Sequence, residues 1–286
     1  MSLYRCTFRV DAQLSQALSE CLFEAGAEGL QESLSGDALT SYLATPQAVE
    51  RLVTAFADFR ARVRTVLPEL EFEEPEIETA DDDWQRKWLE ALEPQHVTAT
   101  FVLRPTSRRP APAGERTIWF EPSASFGAGS HATTRLAASA LEQRAQLDPG
   151  HRLLDVGAGN GILCLVALSS GAAEAVGVDT LDVAAAACRT NAELNNLAER
   201  ITAIWGGVEK VSEKFPWVVA NIDARTLAAI APELVQRVQA KGRLWLTGLL
   251  DEDAEAVARL YASFGLAETG RTSLEGWTLL EFRRPA

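Results

Sequence analysis

The sequence predicts an α/β protein in two parts, a small α+β unit followed by a larger domain wound around a parallel sheet. Three observations predict it. The first 78 residues read as strands and helices in the order β-α-β-β-α-β. From Ile118 onward, short apolar runs alternate with helical patterns. Within that second part, the glycine cluster "LLDVGAGNGIL" (Leu153–Leu163) stands where a strand would turn into a helix.

The first part is built as follows. Leu3–Val10 alternates polar and apolar residues with aromatics, the pattern of a half-buried strand. Asp11 can cap a helix whose apolar positions are Leu14, Leu18, Cys21, Leu22 and Ala25, and Gly26 stops it. Two short strands are expected around Glu28–Ser33 and Ala38–Ala44, with "SGDA" as the turn. Thr45-Pro46 opens a second helix in which Val49, Leu52, Val53, Phe56 and Val63 share a face. "LEFEEPEIE" closes the unit as an edge strand, because Pro75 lacks a donor for one side of the ladder. Six elements in this order make a ferredoxin-like split unit.

Residues 79–117 are expected to be a linker. Within it, "DDDWQRKWLEALEP" reads as a short helix with Trp84 and Trp88 at i,i+4, either a packing anchor or a ligand platform. "LRPTSRRPAPAGER" reads as an exposed loop, rich in Pro and Arg. The second domain, residues 118–286, is expected to place strands at "HRLLDVG", "EAVGVD", "ITAIWG", "WVVAN" and "GRLWLTG". Helices lie between them, notably at Val183–Asn195, Thr226–Gln239 and Asp251–Phe264. The tail from Leu266 to Arg283 reads as a hairpin around "TSLEGW".

Composition narrows the possibilities. With 47 % apolar and 23 % charged residues in 286, the chain can bury a sizeable core. Its start has no basic segment followed by an apolar one, and no apolar run is long enough to span a membrane, so a cytoplasmic protein is expected. Cys6, Cys21, Cys164 and Cys188 are scattered without a CxxC pair, which argues against a disulfide framework or a metal site. Forty acidic residues against 27 basic ones give a net charge of −13. That field repels nucleic acid; it either serves solubility alone or draws in a basic partner.

The glycine cluster suggests the cofactor. Asp155 falls at the strand end, and Gly157, Gly159 and Gly161 occupy the turn, where missing Cβ atoms let a ligand approach the backbone. About twenty residues on, Asp179 ends the next strand and can accept both hydroxyls of a ribose. The spacing is GxGxG rather than the dinucleotide GxGxxG, and the turn holds no basic residue for phosphate. This favours S-adenosylmethionine, a phosphate-free sulfonium nucleoside, in a Rossmann-like domain; a purely structural turn is the alternative.

Upstream lies a second small-residue stretch, "FEPSASFGAGSHATTR" (Phe120–Arg135). Together with "LLDVGAGNGIL", "NAELN" (Asn191–Asn195), "VVANI" (Val218–Ile222), "LTGLL" (Leu246–Leu250) and "DWQRKWLEALEP", it resembles the PrmA family of bacterial methyltransferases acting on ribosomal protein L11. The resemblance runs in order from about residue 83 to the C-terminus. It implies a seven-stranded class I methyltransferase domain, S-adenosylmethionine as cofactor, and methyl transfer to amines of a large-subunit ribosomal protein. It also implies that the N-terminal unit recognises that substrate and that the enzyme works as a monomer. By position, Phe126, Gly127, His131, Thr133 and Thr134 would surround the cofactor. Gly157 and Gly159 would pass beneath its methionine part, Asp179 would hold the ribose, and Asn221 would face the methyl group and the incoming amine. The chain departs from the family pattern at Ser123, Ala128 and Asp223.

Methyl transfer requires a neutral amine aligned with the donor, and Asn221 is suited to orienting one. His131 reads either as a proton acceptor or as a structural histidine, and Asp223 either as a base or as the cap of the next helix. Other functions compatible with the residues are methylation of a different protein lysine or a small molecule, nicotinamide-dependent redox chemistry, and ligand binding without catalysis.

Overall fold

The computed structural model describes residues 3–11, 14–27, 30–33, 37–43, 45–70, 72–80, 92–121 and 131–286. The described residues separate into two compact units, one within residues 3–80 and the other within residues 92–286.

The first unit runs β1 (Leu3–Arg9), α1 (Ser15–Glu24), β2 (Gln31–Glu32), β3 (Ala38–Leu43), α2 (Pro46–Val66) and β4 (Glu76–Ala80). Its sheet has the order β2-β3-β1-β4 with every pair antiparallel, the interleaved arrangement of a ferredoxin-like unit. The Thr45 hydroxyl accepts from the Ala48 amide at 3.2 Å, and Pro46 follows in the first turn, so α2 starts where the sequence places it. Cys6 and Phe8 of β1 meet Leu18 and Leu22 of α1 and Leu52 and Phe56 of α2 in one core. The rings of Phe8 and Phe56 lie 5.3 Å apart. β4 begins directly after Pro75 and occupies a sheet edge, where a missing donor costs no ladder bond.

Part of the expected linker is ordered sheet. β5 (Gln95–His96), β6 (Phe101–Pro105) and β7 (Arg116–Phe120) form a three-stranded sheet that belongs to the second unit. Phe101, Leu103, Ile118 and Phe120 are buried in that unit's core. Proline and arginine suggested open loop here, but Arg104 is neutralised within the sheet. Its guanidinium donates to both carboxylate oxygens of Glu115 at 3.0 and 2.7 Å, and the pairing lowers the Glu115 pKa. The helix carrying Trp84 and Trp88 falls outside the described residues.

After α3 (Ala132–Leu147), the large sheet is assembled from β8 (Arg152–Val156), β9 (Glu174–Asp179), β10 (Ile201–Trp205), β11 (Phe215–Asn221), β12 (Val238–Leu250), β13 (Ala267–Leu274) and β14 (Trp277–Arg283). Between these lie α4 (Ile162–Ser170), α5 (Asp182–Leu194), α6 (Ala224–Ala229), α7 (Ala231–Arg237) and α8 (Ala254–Ser263). Seven strands lie in the order β10-β9-β8-β11-β12-β14-β13. The first five are parallel, and β14 is antiparallel to both β12 and β13. Apolar side chains cover both faces, one packed with α3 and α4 and the other with α6, α7 and α8.

The single helix expected over Thr226–Gln239 is two, meeting at Ile230. Pro232 explains the break: it cannot donate back into α6 and instead occupies the first turn of α7. The order in which strands are added reverses between β8 and β11, so the carboxyl ends of β8, β9 and β11 border the crevice where sheets of this kind bind ligands. On the opposite face, the buried Tyr261 hydroxyl of α8 donates to the Leu227 carbonyl of α6 at 2.8 Å. Tyr261→Phe should destabilise the protein by about 1–2 kcal/mol, measured as a shift in denaturation midpoint with cofactor affinity unchanged.

Candidate functional site

The turn from β8 into α4 is sewn to its neighbour strand. The amides of Gly157 and Ala158 both donate to the Val178 carbonyl of β9, at 2.9 and 3.0 Å. Gly157, Gly159 and Gly161 all have positive φ, at 75, 54 and 81°. Space as well as conformation demands glycine at two of them. A Cβ on Gly157 would lie 2.4 Å from Ile222 Cγ2, and one on Gly161 would lie 2.6 Å from Cys188 Sγ.

Asp179, at the end of β9, fixes the middle of this turn. Its Oδ2 accepts the Gly159 amide at 2.9 Å and its Oδ1 accepts the Leu181 amide at 3.0 Å. Each carboxylate oxygen has a second lone pair, so both remain able to accept from a ligand. Beside the same strand ends, Leu181 and Trp205 leave large apolar surfaces exposed, and the Trp205 indole donates to the Thr180 carbonyl at 3.0 Å.

Asp155 lies beneath the turn and is fully buried. Cys164 Sγ donates to its Oδ2 at 3.4 Å, while Oδ1 has no hydrogen-bond partner. Burial pushes its pKa up to about 7, with a smaller contribution in the same direction from the Asp179 charge. A half-satisfied buried carboxyl is costly in an empty site and suits a ligand bearing a cation.

The His-Thr-Thr stretch forms the start of α3. His131 is the N-cap: its Nδ1 accepts the Thr133 amide at 3.4 Å and lies 2.8 Å from the Thr133 hydroxyl. Its ring meets Trp277 edge-to-face at 4.7 Å. Desolvation lowers the His131 pKa, partly countered by Glu275. With Nδ1 accepting, the neutral ring carries its proton on Nε2, which makes that nitrogen a donor. Thr133 is buried. Thr134 Oγ1 accepts from Asn221 Nδ2 at 3.4 Å, joining the α3 start to the end of β11. Asp223 caps α6, accepting the Thr226 amide at 2.9 Å and its hydroxyl at 2.6 Å, so the capping alternative describes it.

The expected site residues therefore fall at two neighbouring places. Asp155, Gly157, Gly159 and Asp179 build the glycine turn, while His131, Thr133, Thr134 and Asn221 meet at the α3 and β11 ends. Ile222, next to Asn221, packs against Gly157 and links the two. Phe126 and Gly127, like Ser123 and Ala128, lie outside the described residues. Sequence reasoning assigned no role to Asn191 and Asn195, whose side chains bind the backbone of β7 and of the glycine turn. Their i,i+4 spacing on one helix face was the available signal.

Residues 6–285 match the family described as "Ribosomal protein L11 methyltransferase (PrmA)". The chain belongs to the PrmA family. A ribosomal protein L11 methyltransferase from Sorangium cellulosum is 35 % identical over 289 residues, covering 92 % of this chain and 90 % of the relative. One from Myxococcus xanthus is 30 % identical and covers 97 % of each chain. A solved structure of a ribosomal protein L11 methylase from Lactobacillus delbrueckii subsp. bulgaricus superposes with a TM-score of 0.60 at 24 % identity. It covers 68 % of this chain and 99 % of that one, and shares the fold. This PrmA-family chain is an S-adenosylmethionine-dependent methyltransferase. The glycine turn and the unpartnered Asp155 oxygen fit that cofactor, which has a ribose, an ammonium and a sulfonium but no phosphate. No described helix is long and apolar enough to cross a membrane.

The Asp155 shift sets a pH dependence. With a folded pKa of about 7 against an ordinary 3.8, the folded protein keeps a proton that the unfolded chain has released. The contribution of this group to stability is therefore lost as pH rises through that window. Asp155→Asn removes the titration. Its stability relative to the parent should be more favourable at pH 8 than at pH 5, in thermal denaturation without cofactor, and cofactor should bind more weakly. A pH-independent difference between the two proteins would contradict this.

Proposed function

We propose that the protein transfers methyl groups from S-adenosylmethionine to amines, lysine side chains or the N-terminal α-amine, of ribosomal protein L11. The observation that carries the reading is the junction of Asn221 with Thr134 beside the glycine turn. The similarity of the whole chain to L11 methyltransferases points to the substrate. The net charge of −13 favours encounter with a basic ribosomal protein. In this reading the ferredoxin-like unit recognises the substrate, and the enzyme acts as a monomer in the cytoplasm.

When bound, the cofactor supplies a methyl carbon activated by its sulfonium. What remains for the protein is alignment, exclusion of water and delivery of an unprotonated amine. Asp179 holds the ribose through the free lone pairs of a carboxylate already fixed by two amides. Leu181 and Trp205 offer apolar faces for the purine. Gly157 and Gly159 let the methionine part lie close to the backbone.

Asn221 gives one amide hydrogen to Thr134, which orients Oδ1 to accept from the incoming amine and direct its lone pair at the methyl group. Neutralising a lysine at pH 7 costs roughly 4–5 kcal/mol, and an α-amine about 1 kcal/mol. Desolvation in the crevice favours the neutral form in both cases. His131 contributes by capping α3 and setting Thr133 and Thr134, not by accepting the proton, because its accepting nitrogen is already used.

Transfer of labelled methyl groups from S-adenosylmethionine into purified L11 tests the proposal. Asn221→Ala should lower kcat by about a hundredfold while cofactor Kd changes little, consistent with the loss of an orienting contact. Asp179→Ala should instead weaken cofactor binding by tenfold or more. No incorporation into L11 by the parent enzyme would overturn the substrate assignment. An unchanged Kd in Asp179→Ala would overturn the ribose contact.

A further inference from the structure

Among the described residues, β7 is paired with β6 on one side only, and its other edge is met by a helix rather than a strand. Asn195 of the turn ending α5 makes both ladder bonds to one residue. Its Oδ1 accepts the Trp119 amide at 2.9 Å and its Nδ2 donates to the Trp119 carbonyl at 2.6 Å. Four residues earlier, Asn191 Oδ1 accepts the Glu121 amide at 2.8 Å. The geometry explains the fit. Two residues along an extended chain advance about 6.6 Å and four along a helix about 6 Å, so asparagines at i,i+4 match Trp119 of β7 and Glu121 just beyond its end.

Asn191 does more than complete this edge. It is fully buried, and its Nδ2 donates to the Asn160 carbonyl at 2.9 Å, in the middle of the glycine turn. One amide group thus joins the residue that follows β7 to the loop between Gly159 and Gly161. Asn195 Nδ2 also donates to the backbone carbonyl of Asn191 at 2.7 Å, which fixes the Asn195 side chain against the helix.

We propose that Asn191 is a positioning residue for the cofactor site, holding the glycine turn in its binding conformation through Asn160 while Asn195 secures β7 alone. Gly159 is held by Asp179, and the Gly161 carbonyl accepts the Leu165 amide at 2.9 Å. The peptide between Asn160 and Gly161 has two holds, its amide on the Ala158 carbonyl and its carbonyl on Asn191, so losing Asn191 leaves it one and lets it rotate more freely at Gly161. A rotated peptide would move the backbone that the ligand must approach. The role differs from general stabilisation because the two asparagines share a helix and a strand but only one reaches the turn.

The test is a comparison of Asn191→Ala with Asn195→Ala in the full-length protein. Thermal denaturation and calorimetric titration with S-adenosylhomocysteine are both recorded. Each variant should melt earlier than the parent. Asn191→Ala should also raise the ligand Kd by about tenfold, the size of one lost buried hydrogen bond, and Asn195→Ala should leave it within about twofold. Should Asn191→Ala fail to fold, Asn191→Asp serves in its place. At pH 8 its carboxylate keeps the bond from Glu121 but cannot donate to Asn160, and the same rise in Kd is expected. A parental Kd in a folded Asn191 variant would overturn the proposal, as would an equal rise in both alanine variants. Absence of S-adenosylhomocysteine binding by the parent would instead contradict the cofactor assignment.

Discussion

The cofactor site depends on one carboxylate. Asp179 accepts the Gly159 amide from the β8–α4 turn, 20 residues before it, and the Leu181 amide from its own loop, joining the ends of neighbouring strands. Three glycines with positive φ would otherwise give this turn many conformations, and folding must freeze one of them. An ionised acceptor aimed at a backbone amide does so more firmly than a neutral one. The same oxygens keep lone pairs for a ribose, so the group that shapes the turn is also the group we propose to read the ligand.

Around this point the site holds groups in arrangements that serve a ligand better than the empty protein. Asp155 is buried with one oxygen unpartnered and its proton affinity raised. Trp205 and Leu181 expose apolar surface at the strand ends. Elsewhere in the second unit, Thr247 donates to the Thr278 carbonyl, Tyr261 to the Leu227 carbonyl, and Asn191 bridges two backbone segments. His131, Thr134 and Asn221 then form a second, hydrogen-bonded cluster at the mouth of the switch point, next to the turn but anchored on α3 and β11.

Most of the fold was legible because it is written in local patterns. Period-two strands, the Thr45-Pro46 helix start and the apolar runs of β8, β9 and β11 each announce themselves within a few residues. The sequence reading failed where partners are distant. β6 looked like loop because Arg104 suggests solvent, yet its charge is met by Glu115 across the sheet. The split between α6 and α7 was visible in Pro232 but was overridden by the apolar periodicity on either side. At the proposed site, the positions of Asp179 and the glycines at the ends of neighbouring strands followed from spacing, and that of Asn221 from its strand end. The part played by Asn191 and Asn195 did not, since it depends on a helix lying against the free edge of β7, which no local pattern encodes. His131 stood open between two roles, and the cap geometry favours the structural one.

A crystal structure with S-adenosylhomocysteine tests the central claim most directly. The account predicts both ribose hydroxyls within about 3 Å of the Asp179 carboxylate, with the Gly159 amide still bonded to it and the amino-acid portion lying over Gly157. A nucleoside seated away from the ends of β8 and β9, or an Asp179 that must release Gly159 to reach the ribose, would contradict it.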